Sequence, residues 1–317
     1  MVSRARLTVL GSLNMDISVT VPRLPGPGAT VLGGAAAFAP GGKGANQAVA
    51  AARLGASVLL AGCVGDDDFG RTLRSALVAE GVGSEAVRTL PGVPTGLAMI
   101  TVDEAGENMI TVAPGANREA GAAEIAAIAD AGGDALVISA EVPVAAIGAA
   151  LAAGDYRLRV LNLAPAPPEA ADIVAAGVDW LVVNESEAAA VLGRPVDGLT
   201  GPAGAVTAAA DLARAGARNA VVTAGAAGAA YSGQAGDLGV PGFAVRPVDS
   251  VGAGDTFVGA LAVALAAGVP PRDALVAAAA AGAAAVTRPG TQAGMPRPAD
   301  VLAATGHPWP VSVPDSR

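Results

Sequence analysis

The stretch P-V-D-S-V-G-A-G-D-T-F-V-G, residues 247–259, guides the interpretation of the whole chain. Gly252, Ala253 and Gly254 come just before an apolar run, residues 256–267, that predicts a buried helix. Their backbone N–H groups then lie unpaired at the helix N-terminus, which favours an anion. Asp255 adds a carboxylate to the same turn, which suggests a general base. The alternative is that Asp255 only caps the helix and complements its dipole.

Composition favours one large α/β domain over residues 1–317. The hydrophobic fraction of 52% is spread evenly along the chain, and no composition break marks a linker. No stretch approaches the roughly 18 unbroken apolar residues of a membrane span. The N-terminus runs directly into a strand-like segment without a signal peptide, so we expect a cytoplasmic protein that has no membrane partner.

Charge and rare residues narrow the chemistry. A net charge of −9 argues against nucleic acid as a partner. The single histidine, His307, and the single cysteine, Cys63, exclude His-based triads, disulfides and thiolate metal clusters. Proton transfer then falls to Asp, Glu, Tyr or Lys. Lys43 is the only lysine among 19 basic residues. Either its position needs a slim, flexible ammonium that arginine cannot supply, or this one lysine remains by chance.

The segment P-G-G-K-G-A-N-Q, residues 40–47, predicts a ligand-binding helix start. It is not a P-loop, because Gly44 follows Lys43 where Ser or Thr is needed for magnesium. Gly41 and Gly42 permit close backbone approach, and Lys43 and Asn46 stand one helical turn apart. Such donors suit a polyhydroxylated ligand.

The rest of the chain alternates strands and helices, which predicts a mainly parallel sheet covered on both faces. The predicted strands are residues 7–10, 58–64, 135–139, 159–163, 180–183 and 220–223. Ligands of such sheets bind at the carboxyl ends of the strands. Polar residues cluster just there, although each alone also suits a helix cap: Glu141, Asn162, Asn184, Glu187 and Thr223.

Two strand pairs fall outside this alternation and predict a separate small sheet. The first joins residues 17–21 to residues 30–38, and the second joins residues 97–102 to residues 108–113. Just before the first pair, Asn14 and Asp16 point to one face if the chain is extended there.

Taken together, these motifs resemble the ribokinase family of carbohydrate kinases, also called the PfkB family. The strings G-G-K-G-A-N-Q and G-A-G-D match the two family signatures, and G-S-L-N-M-D, G-D-D-D-F-G and N-E-S-E extend the match nearly end to end. The resemblance implies a ribokinase-like three-layer α/β fold with a mainly parallel central sheet. It also implies a small β lid, formed by about 15–40 and 96–114, that pairs into a homodimer.

The resemblance implies ATP-dependent phosphorylation of D-ribose at its 5-hydroxyl, giving D-ribose 5-phosphate and ADP. Asp255 is then the base, and Gly252, Ala253 and Gly254 hold the transferring phosphoryl charge. The implied sugar ligands are Asn14, Asp16, Gly42, Lys43, Asn46, Glu141 and Asp255. The implied nucleotide groove is lined by Asn184, Thr223, Gly225, Gly228 and Gly254, with Glu187 facing Mg²⁺ through water.

The resemblance to ribokinases also implies activation by K⁺ beside the anion site. The matching positions are Asp249, Val251, Ala285, Arg288, Gly290 and Gly294. Gly294 stands where the family commonly has Ser, and Ala279 stands where relatives often place a larger residue against adenine. We therefore expect weaker cation binding and weaker selection of the adenine base.

Alternatives remain open within the family and outside it. Deoxyribose, fructose and nucleoside kinases share the chemistry, although a nucleoside kinase needs an aromatic platform and only 3% of residues are aromatic, Phe38 among them. A nicotinamide-dependent dehydrogenase needs G-x-G-x-x-G after the first strand, which residues 11–16 lack. A sugar-binding protein without enzymatic activity has no need of G-A-G-D.

Overall fold

The structure, a computed structural model, describes residues 4–313 and contains two β-sheets surrounded by helices. The strands of the larger sheet are β1 (Arg6–Leu10), β4 (Ser57–Gly65), β5 (Val87–Leu90), β8 (Gly133–Ser139), β9 (Tyr156–Asn162), β10 (Val178–Asn184), β11 (Ala217–Thr223), β12 (Ala229–Gly233) and β13 (Gly236–Val240). Those of the smaller sheet are β2 (Asn14–Val21), β3 (Ala37–Gly41), β6 (Gly96–Asp103) and β7 (Asn108–Ala113).

The helices pack mainly on the larger sheet. They are α1 (Lys43–Arg53), α2 (Asp68–Ala79), α3 (Ala122–Ala131), α4 (Val144–Ala152), α5 (Ala170–Ala175), α6 (Glu185–Leu192), α7 (Gly201–Ala215), α8 (Ala253–Ala266), α9 (Pro271–Ala285), α10 (Thr291–Gly294) and α11 (Pro298–Thr305). Within residues 4–313 we find no helix that is both long and apolar enough to cross a membrane.

The larger sheet has nine strands in the order β13-β12-β11-β10-β9-β8-β1-β4-β5. Every neighbouring pair from β5 to β11 is parallel, and β12 and β13 add an antiparallel edge. The chain leaves β1 towards β4 and later returns to β8 on the other side of β1. This reversal of strand order opens a crevice at the carboxyl ends of β1 and β8, where ligands of such sheets bind.

Alternating side chains place a core on each face of the larger sheet. In β1, Leu7 and Val9 join the core formed with α1, α8 and α9, whereas Leu10 joins the core on the opposite face. The central strands are buried on both faces because helices cover both, so they are apolar almost throughout. The result is three layers, as the sequence predicts.

The smaller sheet has the order β3-β2-β6-β7. Strand β2 pairs antiparallel with β3 and parallel with β6, and β7 closes a hairpin with β6. All six residues of β7 are exposed, because no helix covers that end of the sheet. The predicted small sheet therefore exists; it contains the second predicted strand pair and the first strand of the first pair.

Some boundaries differ from the prediction. The partner of β2 is Ala37–Gly41, not residues 30–38, and residues 30–36 form no regular structure. The helix predicted to begin at Thr256 begins at Ala253, so Asp255 lies inside its first turn. No strand was predicted at β5, β12 or β13. Strands β12 and β13 (AAYSG and GDLGV) have few of the β-branched residues that indicate a strand, and β5 has only four residues.

Candidate active site

The loop after β1 and the start of α1 meet at the crevice with almost no space between their backbones. Gly42 has φ 89°, and a Cβ there would lie 2.6 Å from the backbone nitrogen of Asn14. A Cβ on Gly44 would lie 2.5 Å from Gly11, and one on Gly41 would lie 2.1 Å from the Asp16 carboxylate. Glycine is required at these positions because any side chain would displace the residues that face the crevice.

Asp255 lies in the first turn of α8, behind a glycine that starts the helix. Gly252 is the N-cap with φ 81°, a conformation that glycine adopts without strain. A Cβ on Gly254 would meet nothing within 4 Å, so its backbone borders open space at the positive end of the helix dipole. The predicted sequence G-A-G-D thus forms a helix N-terminus open to an anion.

Two side-chain amides from α1 hold the Asp255 carboxylate, which is only 7% exposed. Asn46 Nδ2 donates to Asp255 Oδ2 at 2.9 Å, and Gln47 Nε2 donates to Asp255 Oδ1 at 3.1 Å. Behind them, Gln292 Nε2 donates to Asn46 Oδ1 at 3.1 Å, and Gln47 Nε2 also donates to Asn162 Oδ1 at 2.9 Å. Each carboxylate oxygen therefore has one fixed donor and keeps a lone pair for another proton.

Four acids and one ammonium lie close together here. Burial raises the pKa of Asp16 to about 7, with the negative charges of Glu141 and Asp255 adding to the shift. Asp255 raises the pKa of Lys43 above its usual value despite burial, and Glu141 and Glu187 act in the same direction. The ammonium thus remains charged and offsets part of the acid repulsion.

Asn14 and Glu141 face a cavity of about 620 Å³ beneath the end of β7. Ser12 Oγ donates to Glu141 Oε2 at 2.5 Å, which orients that carboxylate. Asn117, just after β7, donates to Asn14 Oδ1 at 2.8 Å. The side-chain nitrogen Nδ2 of Asn14 is then the group that remains for a ligand.

A smaller cavity of about 120 Å³ is bordered by Asp255. Its lining contains Lys43, Asn162, Asn184, Glu187, Thr223, Gly252 and Gly254. Asn184 and Glu187 form a reciprocal capping box at the start of α6, each side chain accepting from the other's backbone N–H at 2.8 Å. Burial raises the pKa of Glu187 above its usual value. Gly225 and Gly228 follow β11 as a 3₁₀ turn, and neither lines this cavity.

The six positions predicted for a cation lie on the loop before α8 and on the segment that runs from the end of α9 to the end of α10. The Asp249 carboxylate joins these two segments, accepting from Val251 N at 3.0 Å and from Gly290 N at 2.9 Å. A Cβ on Gly294 would lie 3.1 Å from the Arg288 carbonyl oxygen and 3.2 Å from that of Ala285. These two oxygens therefore converge on one point beside Gly294. The Arg288 side chain turns outward to Asp300.

The structure brings together most of the predicted site residues and adds others that the sequence did not assign. Gln47, Asn117 and Gln292 hold site residues through hydrogen bonds across more than 100 positions. The spacing of motifs carries no signal for such pairs. Within residues 4–313, no group of three or more His, Cys, Asp or Glu side chains forms a metal-binding cluster.

The three-layer sheet, the small second sheet and the helix N-terminus beside Asp255 define a ribokinase-like α/β protein. The chain belongs to the pfkB family of carbohydrate kinases, whose model matches residues 4–298. It is 35% identical over 305 residues to the ribokinase of Haemophilus influenzae, covering 94% of this chain and 98% of that protein. It is 37% identical over 302 residues to the ribokinase of Schizosaccharomyces pombe, covering 92% and 94%.

A solved structure shows the same fold. The ribokinase of Arabidopsis thaliana complexed with ribose and ATP superimposes with a TM-score of 0.80 at 30% identity, covering 95% of this chain and 98% of that one. The predicted family and fold are thereby confirmed.

Proposed function

We propose that this protein is an ATP-dependent sugar kinase that phosphorylates D-ribose at its 5-hydroxyl, giving D-ribose 5-phosphate and ADP. One observation carries the proposal. The doubly held carboxylate of Asp255 stands at the N-terminus of α8 and borders the smaller cavity. Asp16 lies close by, because the negative charges of Glu141 and Asp255 add to the effect of burial in raising the pKa of Asp16. A base between a polyol site and an anion site suits transfer of a phosphoryl group to a hydroxyl.

Asp255 acts as the general base in this proposal. It accepts the proton of the 5-hydroxyl as that oxygen attacks the γ-phosphorus and ADP leaves. The backbone N–H groups around Ala253 and Gly254 stabilise the charge on the transferring group, because the dipole of α8 points its positive end there. Lys43 lines the same cavity and adds a positive charge.

Sugar recognition falls to the polar groups around the larger cavity and the start of α1. Asn14, Asp16, Gly42, Lys43, Asn46 and Glu141 are the proposed sugar ligands. The carboxyl oxygens of Asp16 and Glu141 accept hydrogen bonds from hydroxyls, and the side-chain nitrogen Nδ2 of Asn14 donates one. A sugar that lacks a hydroxyl leaves one of these buried groups without a partner, which gives selectivity.

The nucleotide lies along the carboxyl ends of β10 and β11 in this proposal, near Asn184, Thr223, Gly225 and Gly228. Magnesium fits here, because one carboxylate together with waters and phosphate oxygens is its usual set of ligands. Glu187 supplies that carboxylate through water. When bound, Mg²⁺ neutralises charge on the phosphate oxygens.

A potassium ion fits the point beside Gly294. Its proposed ligands are oxygens on the two segments that Asp249 joins: the carbonyls of Ala285 and Arg288, with Asp249, Val251, Gly290 and Gly294 around them. Oxygen-only sites suit hard cations. The absence of a hydroxyl at Gly294 leaves one ligand fewer than a serine would supply.

The small sheet is proposed to act as a lid over the sugar and as the surface of a homodimer. The sheet exposes large apolar side chains on both faces: Phe38, Met99 and Met109 on one, and Ile110 and Val112 on the other. An apolar patch on a protein surface favours association with a partner. The cytoplasmic location expected from the sequence stays a prediction.

The test is ADP release from ATP and magnesium with ribose, 2-deoxyribose, fructose or adenosine, each in potassium or sodium. We expect ribose to give the highest kcat/KM, with faster turnover in potassium. Turnover with fructose or adenosine but not ribose would contradict the sugar assignment and leave the role of Asp255 intact. Equal rates in potassium and sodium would contradict the proposed potassium site and leave the rest of the proposal intact.

A further inference from the structure

In the hydrogen bonds that lead to Asp255, the chemistry of the groups fixes which atom donates and which accepts. Both oxygens of an ionised carboxylate only accept, so the atom of Asn46 that faces Asp255 is its amide nitrogen. The Asn46 oxygen then faces Gln292, and the Gln292 atom that meets it at 3.1 Å is its amide nitrogen. Every donor in the chain from Gln292 to Asn46 to Asp255 therefore points towards the carboxylate.

Gln292 lies in α10, and its backbone is fixed by the far end of the helix that carries Asn46. Arg53, in the last turn of α1, donates to the Gln292 carbonyl at 2.6 Å and to the Met295 carbonyl at 2.7 Å. Glu80 holds the same guanidinium through two hydrogen bonds, at 2.8 and 2.6 Å. The Arg53 side chain is only 12% exposed, so this contact is shielded from solvent.

Helix α1 is thus joined to the 292–295 segment at both of its ends. Arg53 sets the position of the Gln292 backbone, and Asn46 receives its side chain. Asn46 and Gln292 are both buried, at 5% and 9% exposure. An amide turned by 180° about its last bond exchanges its donor and acceptor. The donor of Gln292 facing Asn46 Oδ1 therefore adds to the preference of the Asp255 carboxylate for Asn46 Nδ2 and holds the amide in this one orientation.

We infer that Gln292 is a positioning residue for the phosphoryl-transfer step, which fixes the orientation of the Asn46 amide and thereby keeps Asp255 ready to accept a proton. The inference rests on the proposed role of Asp255 as general base. Gln292 acts only through Asn46, and its donor must face Asn46. Removing that donor weakens the orientation, and replacing it with an acceptor reverses it.

Two substitutions separate these cases. Gln292→Met keeps the length of the side chain and removes the donor, and we expect kcat to fall about 10-fold with little change in the KM for sugar. Gln292→Glu, assayed at pH 8.5 where the carboxylate is ionised, accepts from Asn46 Nδ2 and turns the Asn46 oxygen towards Asp255. We expect kcat to fall about 100-fold, with the acid limb of the kcat profile shifted up by roughly one pH unit.

The Asn46→Ala background separates the relay from a direct charge effect. If Gln292 acts through Asn46, Gln292→Met and Gln292→Glu give the same kcat in that background. If the two still differ, the new charge acts on Asp255 through space and the relay is refuted. A kcat for Gln292→Met within twofold of the wild type also overturns the inference. An unchanged pH profile with only a lower Tm assigns Gln292 a structural role.

Asp255→Asn distinguishes failure of the inference from failure of the proposed function. If Asp255→Asn keeps full turnover, the general base is misassigned and the premise falls. If Asp255→Asn is inactive while both Gln292 variants match the wild type, the base stands and only the relay from Gln292 is wrong.

Discussion

The end of the large sheet that carries Asp255 and the small four-stranded sheet hold their side chains in opposite ways. From Asp255 to Ala266, α8 is buried at every residue, and two amides fix the reacting carboxylate. In the small sheet, β7 is exposed at every residue, and Met109 and Ile110 are each 49% exposed. One region is packed on all sides, and the other has a face without a partner within the described chain.

The difference agrees with the separate task that is proposed for each region. A group that transfers a proton must be held within a fraction of an ångström, which requires partners behind it. A cover over a sugar must move, and a moving sheet cannot be packed on all sides. The four predictions below test this contrast, from the largest expected effect to the smallest.

The largest effect is expected from Asp255→Asn. The amide cannot accept the hydroxyl proton, so kcat should fall about 1,000-fold, or about 4 kcal/mol in the barrier, while the affinity for sugar is kept. The measurements are steady-state ADP release and sugar binding by calorimetry. Asp273 is the matched control, because it is an exposed acid in the first turn of α9. If Asp273→Asn lowers kcat equally, helix-dipole effects explain the result.

Gly42→Ala tests how tightly the fixed region is packed. The new Cβ would press on the backbone nitrogen of Asn14, and Gly42 has a φ of 89° that alanine rarely adopts. We therefore expect a loss of about 3 kcal/mol in the free energy of unfolding. Gly106 in the β6–β7 turn has φ 85° with nothing within 4 Å of a Cβ. Gly106→Ala should cost only about 1 kcal/mol. Equal losses in urea unfolding would show that close approach at Gly42 contributes nothing.

Asp16→Asn should stabilise the sugar-free protein at high pH. The folded-state pKa of Asp16 is about 7, above its usual 3.8, so the folded state holds this proton more tightly than the unfolded state. Wild-type stability therefore falls as pH rises from about 4 to 7, and stays low above it. We expect Asp16→Asn to raise stability by about 2 kcal/mol at pH 8 and by little at pH 4.5.

Thermal unfolding at the two pH values checks the stability effect of Asp16→Asn. The same variant should bind sugar more weakly at pH 8, because its neutral amide replaces an acceptor of two hydroxyl protons. A gain in Tm that is equal at both pH values would contradict the raised pKa.

The smallest effect on stability is expected from Ile110→Lys on β7. An exposed substitution should change the free energy of unfolding by less than about 0.5 kcal/mol. The added charges should nevertheless separate a dimer formed through the small sheet. Val78 on α2 is 66% exposed on the main body, so Val78→Lys is the control. If sedimentation gives the same mass for the wild type and both variants, the proposal that the small sheet forms a dimer is contradicted.

The sequence identified the parts of the site that local patterns encode. Asp255, Lys43 and the glycines around them lie in short motifs whose backbone demands can be read from neighbouring residues. The central strands were also predicted within a few residues, because strands buried on both faces are apolar almost throughout. The structure confirms the three-layer fold and the existence of the small sheet.

The contacts that cross the fold could not be predicted in this way. Gln292 and Asn46 are 246 positions apart, and neither residue type indicates the other. The position of β3 depends on pairing, because Gly41 must lie opposite Asn14 and against Asp16, where a side chain does not fit. Thr30 and Val31 have high strand propensity, but without a partner strand this propensity produces no strand.

Asn14 and Asp16 lie on β2 of the small sheet, whereas Glu141 and Asp255 follow elements of the large sheet. A sugar that binds Asn14 and Asp16 as well as Glu141 and Asp255, as proposed, contacts both parts of the protein. Its product then leaves only when the contacts to one of the two parts break. The proposed transfer moves a negative phosphoryl group from the nucleotide onto the sugar, closer to Asp16 and Glu141, and repulsion between these charges favours separation of the two sheets after the reaction. On this proposal product release is slower in salt, which screens the repulsion, and stopped-flow measurement of release at two salt concentrations tests it.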